Sequence, residues 1–120
     1  MTVQIVSAWL VAFSVVAGSA RSQEGNVSDD VQQGRRLAML ICSNCHIVAR
    51  DQPFEPILRP PAPSFESIAQ RSASNMESVQ AFLATTHRDI SNPKGMPDTR
   101  LLDGQIKQVA AYLLSLRKQP

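Results

Sequence analysis

The sequence predicts an all-α protein with one small domain. Apolar residues recur at spacings of three and four in several segments, whereas no segment alternates apolar and polar residues as a strand would. At 120 residues the chain has room for one domain. A domain of this size buries a smaller share of its surface than a large one and is marginal alone, so a staple is expected. The two cysteines are only three positions apart, which excludes a disulfide framework as that staple.

Residues 1–20 are predicted to be a secretory signal peptide. Residues 5–17 form an apolar run broken only by two serines, and the small residues Gly18, Ser19 and Ala20 follow. The run is shorter than the ~20 apolar residues that a membrane span needs. No Lys or Arg precedes the run, which departs from the usual positively charged start of a signal peptide. The alternative is an anchor that is not cleaved. After the signal, residues 21–27 are predicted to be a flexible arm and residues 28–118 the folded domain.

Four helical segments are predicted beyond the arm. The first begins at residues 28–30, where Asp29 can cap it, and its apolar face runs directly into Cys42. Residues 64–70 predict a short second helix, and the capping box at residues 74–77 predicts the start of a third. The last helix is predicted over residues 102–116, where apolar residues recur at spacings of four and three. Five prolines within residues 53–63 predict an extended loop between the first two helices.

The motif CSNCH, residues 42–46, contains both cysteines and one of the two histidines. A redox dithiol expects a βαβ neighbourhood with its first cysteine at a helix N-terminus, whereas Cys42 follows a helical segment. Structural zinc needs four ligands, and this motif supplies at most three. Covalent haem attachment fits better: Cys42 and Cys45 lie on one helical face and can each add to a haem vinyl group, while His46 binds the iron. The predicted signal peptide agrees with this interpretation, because haem is attached to such proteins on the far side of the membrane.

The sixth iron ligand is predicted to be Met96. It lies 50 residues after His46 in NPKGMP, where two prolines and a glycine form a rigid turn that can pass over the opposite haem face. Met39 lies on the helix that carries His46 and cannot reach the opposite haem face. Met76 has the spacing of a core residue and is expected to pack in the core. His87, the alternative ligand, closes a helix beside charged residues. Ligation by His and Met leaves no site for substrate, which favours electron transfer over catalysis.

The chain resembles a small class I cytochrome c of the bacterial periplasmic type over about residues 30–117. The resemblance is carried by Gly34 eight positions before CSNCH, by PAPSF at residues 61–65, by NPKGMP and by AAYLLSL at residues 110–116. It implies that Gly34 lets the first helix cross closely over the last, near Tyr112. It also implies a proline carbonyl that accepts the Nδ1 proton of the haem histidine. Pro61 is the first choice for that role, with Pro60 and Pro63 as alternatives.

One departure concerns the helix crossing, because many family members have a bulky aromatic residue where this chain has Ala38. The crossing is therefore expected to be looser or to be filled by other side chains.

The resemblance implies a cytochrome c fold, with three to four helices packed around one covalent haem c and its iron. Cys42 and Cys45 would hold the haem, and His46 and Met96 would bind the iron. The implied function is that of a periplasmic, monomeric single-electron carrier that docks transiently with membrane or periplasmic redox enzymes and is not itself an enzyme. No stable membrane insertion is expected after signal cleavage.

The 12 basic and 10 acidic side chains nearly balance, so nothing indicates nucleic-acid binding. The alternatives to a free carrier are a haem subunit of a larger dehydrogenase or oxidase, and a gas- or peroxide-binding haem protein with a labile sixth ligand. Five basic residues form either a patch that steers partners or an ordinary solvated face: Lys94, Arg100, Lys107, Arg117 and Lys118.

Overall fold

A computed structural model describes residues 22–85 and 95–118, and it confirms the all-α fold. Its four helices are α1 Ser22–Ile41, α2 Phe65–Ala69, α3 Met76–Ala84 and α4 Asp103–Ser115. These two ranges contain no strand, only an isolated parallel bridge between His46 and Ala62. Within the same ranges, no helix is long and apolar enough to cross a membrane. The predicted signal peptide lies outside the described residues.

The start of α1 differs from the prediction. The helix begins at Ser22, six residues before the expected start at Ser28. Residues 22–27 contain no proline, and each residue added to an existing helix contributes one more backbone hydrogen bond, so their polar composition does not stop the helix. Residues 26–29 are exposed. The predicted boundary between arm and domain at residue 28 is therefore not a helix boundary.

The short helices α2 and α3 are capped by side chains. The helix α2 is one residue shorter at each end than the predicted 64–70, and Ser64 is its N-cap, since its Oγ accepts a hydrogen bond from the amide of Ser67 at 3.1 Å. The capping box of α3 lies one residue later than predicted. Asn75 is the N-cap, and its Oδ1 accepts from the amide of Ser78 at 2.8 Å. Ser74, the predicted cap, instead donates its hydroxyl proton to the carbonyl of Ile68 at 2.7 Å.

The main packing contact of the fold is the crossing of α1 over α4 at Gly34. A Cβ atom at this position would overlap the carbonyl oxygen of Gln108 and would lie 2.8 Å from Cβ of Tyr112. Glycine is therefore required by the distance between the two helices, as the family resemblance implies. Ala38, one turn further along α1, is completely buried, so a small side chain lets the helices close at this point.

The Arg50–Glu66–Lys118 cluster ties the loop after α1 to α2 and to the C-terminus. Arg50 donates to Glu66 through Nε at 3.0 Å and through Nη2 at 2.5 Å, and Nζ of Lys118 lies 3.1 Å from the same carboxylate. The hydrogen bonds from Arg50, followed by that from Lys118, lower the pKa of Glu66 to about 2. Next to Lys118, Arg117 donates to the carbonyl of Ala69 at 2.9 Å. The segment that follows α4 is thus fastened onto α2.

Gly34→Ala is predicted to destabilise the protein by roughly 2 kcal/mol or more, because its methyl group would force α1 and α4 apart. The measurement is guanidinium unfolding of the haem-containing protein. Gly104→Ala is the matched control, because a Cβ at Gly104 meets no atom within 4 Å. That control is expected to be neutral or to gain up to about 1 kcal/mol from helix propensity. Equal losses in both variants would contradict the close crossing.

Glu66→Gln is predicted to weaken the dependence of stability on acid pH. The folded-state pKa of Glu66, about 2, lies below its ordinary value of 4.5, so its contribution is complete above pH 4.5 and is lost as the pH falls toward 2. Between these values, the unfolding free energy of the variant should fall less steeply than that of the parent protein at low ionic strength. Because the cluster is partly exposed, added salt should reduce the difference.

The control for this measurement is Glu55→Gln, which makes the same change of charge. Glu55 is exposed, and its ion pair with Arg59 is longer, at 3.9 Å. If Glu66→Gln and Glu55→Gln give the same slope of stability against pH, the stabilising role of the cluster is wrong.

Candidate functional site

The motif CSNCH continues from the end of α1 as a tight turn. The amide of Cys42 donates to the carbonyl of Ala38 at 2.9 Å, which extends the helical pattern past Ile41. The amides of Cys45 and His46 both donate to the carbonyl of Cys42, at 3.1 and 2.9 Å. Cys42 is buried, whereas Cys45 and His46 are partly exposed. The turn therefore brings three of the four predicted site residues together.

The imidazole of His46 is oriented by the carbonyl of Pro63. Its Nδ1 lies 2.7 Å from that oxygen. Because a carbonyl can only accept, Nδ1 must carry the proton, and Nε2 keeps a lone pair that can bind a metal. The role falls to Pro63, one of the alternatives, and the first choice, Pro61, is wrong. The amide of Ala62 donates to the carbonyl of Cys45 at 2.9 Å, and this register places the next residue, Pro63, beside His46.

Phe65 packs against the same imidazole. The two ring centroids are 5.6 Å apart and the ring planes meet at 65°, an edge-to-face arrangement. Phe65 is itself buried, and its amide donates to the carbonyl of Ile47 at 2.9 Å. The ring of His46 is thus held both by a hydrogen bond and by a side chain of α2.

The thiol chemistry of the motif argues against a redox dithiol. Burial, with a smaller effect from the nearby Cys45, raises the pKa of the Cys42 thiol to about 11. Reactive dithiols instead have a cysteine of lowered pKa. Within residues 22–85 and 95–118, no three His, Cys, Asp or Glu side chains form a group that could hold a metal ion.

The surroundings of the motif suit a flat apolar cofactor. The amides of Ile57 and Leu58 donate to the carbonyl of Asn44 at 2.8 and 3.2 Å, which brings the proline-rich loop beside the motif. Several apolar side chains near the motif are exposed by 40–78%: Leu40, Ile41, Ile47, Phe54, Ile57 and Leu58. A haem bonded to Cys42 and Cys45 fits this chemistry, because it removes apolar surface from water.

Grooves in the polypeptide do not locate the site. One groove of about 510 Å³ lies between α3 and α4 and is lined by residues including Met76 and Ile106. Another of about 500 Å³ lies beside Ile47 and Tyr112. The lining of these two grooves includes no cysteine and no histidine. The site is better located by the sulfur and nitrogen atoms of the motif and by the hydrogen bond of His46, because these atoms can bond to a cofactor.

The candidates for the sixth ligand have different surroundings. Met96 is partly buried in the irregular stretch that leads from Gly95 to α4. Met39 packs against the core, and its carbonyl accepts a hydrogen bond from Oγ of Ser43 at 2.6 Å. His87 lies in residues 86–94, outside the described range. The choice between Met96 and His87 as the sixth ligand stays a prediction.

Sequence reasoning missed the polar contacts that hold the loop after His46. Tyr112 donates its hydroxyl proton to the carbonyl of Val48 at 2.8 Å. Burial of the tyrosine side chain raises the pKa of its phenol. Gln52 accepts from the amide of Val48 at 3.0 Å and donates to the carbonyl of Phe54 at 2.8 Å. Bonds from side chains to loop backbone leave no periodic pattern in a sequence. Only Tyr112, within the motif AAYLLSL, gave a signal that could have indicated one of them.

Comparison with known proteins agrees with this geometry. The Cytochrome c family pattern matches residues 31–117, nearly the whole described part of the chain. Cytochrome c-552 of Bradyrhizobium diazoefficiens is 33% identical over 103 residues, which cover 86% of this chain and 90% of that protein. No solved structure gives a significant match. The CSNCH turn, the oriented His46 and these similarities show that the chain belongs to the cytochrome c family, as a class I monohaem c-type cytochrome with covalently bound haem c and its iron.

Proposed function

We propose that this cytochrome is a periplasmic single-electron carrier with iron bound by His46 and Met96, which shuttles electrons between periplasmic or membrane redox enzymes. Haem c supplies a one-electron couple between ferric and ferrous iron when bound. The observation that carries the proposal is the hydrogen bond from Nδ1 of His46 to the carbonyl of Pro63, at 2.7 Å. It leaves Nε2 as the only ring nitrogen able to bind iron and strengthens it as a ligand.

The proposed roles of the chain's residues follow from their places in the turn. Cys42 and Cys45 hold the cofactor through two thioether bonds, and His46 provides the fifth ligand. The carbonyl of Pro63 and the edge of Phe65 keep the imidazole in one orientation. A ligand that does not move between oxidation states keeps reorganisation small, which favours fast electron transfer. Met96 fills the sixth position and leaves no site for a substrate.

Partner docking is proposed to be brief, as redox encounters usually are. The structure gives limited support to a basic steering patch. Lys107 lies 3.1 Å from Asp30, and Lys118 lies 3.1 Å from Glu66, so both charges are partly neutralised. Arg117 is engaged with backbone carbonyls of the α2 region. We therefore propose that charge contributes little to docking.

Met96→Ala is predicted to remove the weak far-red absorption band that sulfur ligation gives to ferric haem. The reduced variant should then bind carbon monoxide readily, because its sixth position is open to the gas. The measurements are absorption spectra of both oxidation states with and without carbon monoxide. Met76→Ala, which changes a methionine of α3, is the control and should keep the band.

Two results with the parent protein would contradict the proposal. A parent without the far-red band excludes Met96 as the sixth ligand. A parent that binds carbon monoxide readily would overturn the electron-carrier mechanism in favour of a gas-binding haem protein.

Replacement of the cysteines is predicted to act stepwise on haem attachment. Cys42→Ala or Cys45→Ala alone should leave one thioether, so haem stain should persist on a denaturing gel while the pyridine haemochrome band moves to longer wavelength. The double variant should lose all covalent stain. Asn44→Ala is the control, since the exposed Asn44 contributes its backbone carbonyl to the loop contacts. Covalent stain in the double variant would contradict the assignment.

A further inference from the structure

We propose that the ion pair between Arg50 and Glu66 is a positioning device for His46 and thereby sets the reduction potential of the protein. The inference rests on the proposed binding of iron by His46. Neither residue touches the cofactor in this proposal; both act through the hydrogen bond between His46 and Pro63.

The first step is the register between two segments of the chain. Residues 45–47 and 62–65 run side by side through one parallel bridge. Three hydrogen bonds join them: Ala62 N–H to the carbonyl of Cys45 at 2.9 Å, His46 Nδ1–H to the carbonyl of Pro63 at 2.7 Å, and Phe65 N–H to the carbonyl of Ile47 at 2.9 Å. The bond that orients His46 is therefore the middle one of a short ladder.

The second step is that the Arg50–Glu66 pair closes one end of this ladder. Arg50 lies four residues after His46, and Glu66 lies three residues after Pro63. The guanidinium contacts both carboxylate oxygens, at 3.0 and 2.5 Å. A two-point contact of this kind fixes an angle as well as a distance. Between Pro63 and Glu66 the chain turns into α2 at its N-cap, Ser64, so a shift of Glu66 is transmitted to the Pro63 carbonyl.

The third step concerns the electronic effect on His46. A hydrogen bond from Nδ1–H to a carbonyl makes Nε2 more basic. A more basic ligand favours ferric over ferrous iron and lowers the reduction potential. If the pair is broken, the Pro63 carbonyl is held less firmly and the bond weakens. The potential should then rise.

Positioning can be distinguished from a direct effect of charge. Through space alone, loss of the positive Arg50 favours the more positive ferric state and lowers the potential, whereas loss of the negative Glu66 raises it. Through His46, loss of either partner raises the potential. Arg50→Gln therefore separates the two mechanisms by sign. The double variant Arg50→Gln/Glu66→Gln leaves the net charge unchanged, so its direct effects largely cancel.

The experiment compares the parent with Arg50→Gln, Glu66→Gln, the double variant and Arg50→Lys. The two measurements are the reduction potential, by spectroelectrochemical titration, and the solvent exchange of His46 Nδ1–H, by proton NMR of the reduced protein. We expect higher potentials and severalfold faster exchange in both single variants. The double variant should keep the faster exchange, and its potential should lie between those of the two single variants and above that of the parent, because its direct charge effects largely cancel. Arg50→Lys keeps the charge but loses the two-point contact, and should be intermediate.

The matched control is another tertiary ion pair. Lys107 and Asp30 join α4 to α1 at 3.1 Å and lie in neither segment of the ladder. Lys107→Gln/Asp30→Asn is also neutral in net charge, and we expect it to change neither measurement. The positioning role is overturned if the Arg50/Glu66 double variant matches the parent in both measurements, or if this control shifts them equally.

Failure of the inference is distinguishable from failure of the proposed function. If His46 does not bind iron, its ring protons in the reduced parent will lack the large upfield shifts that a haem ring current imposes. That result overturns the ligation and the inference together. If the parent shows these shifts and the Arg50/Glu66 double variant matches it in both measurements, only the positioning role is wrong.

Discussion

The close crossing of α1 and α4 at Gly34 is the contact on which the rest of the structure depends. A Cβ atom at Gly34 would overlap Gln108, so no larger residue allows this distance between the helices. α1 continues straight into Cys42, and the crossing therefore decides where the attachment motif leaves the helix. Tyr112 stands at the same crossing and donates to the carbonyl of Val48, two residues after His46. One glycine thus couples the packing of α1 against α4 to the position of His46.

The site itself is built from irregular backbone held on several sides. Loops carry function best when a rigid scaffold positions them, and here α4 and its C-terminal extension provide much of that scaffold. Tyr112 holds the segment after His46, and Arg117 and Lys118 hold α2, which carries Phe65. Because α2 has only five residues, its position depends on these contacts more than on its own helical bonds. The orientation of His46 is accordingly a property of the tertiary structure and not of the motif alone.

A structural element that repeats a pattern along the sequence is predicted well. The choice between two nearby residues with the same chemistry is not. The stripe of apolar residues predicted α4 within one residue at each end, because every turn of the helix repeats the signal. Pro61 and Pro63 are locally alike, and only a register between segments more than 15 residues apart selects Pro63. Ser74 and Asn75 are both good N-caps. The choice of Asn75 depends on a competing bond from Ser74 to Ile68, which no local pattern records.

The composition of the core connects the stability of the chain to its cofactor. Most of its fully buried positions hold alanine or valine, including Ala38, Ala69, Val109 and Ala110, and each contributes little apolar area. A small domain with such a core needs a further staple. Covalent haem c supplies that staple. The stability of a chain of this size therefore depends on the cofactor as well as on the packing of its helices.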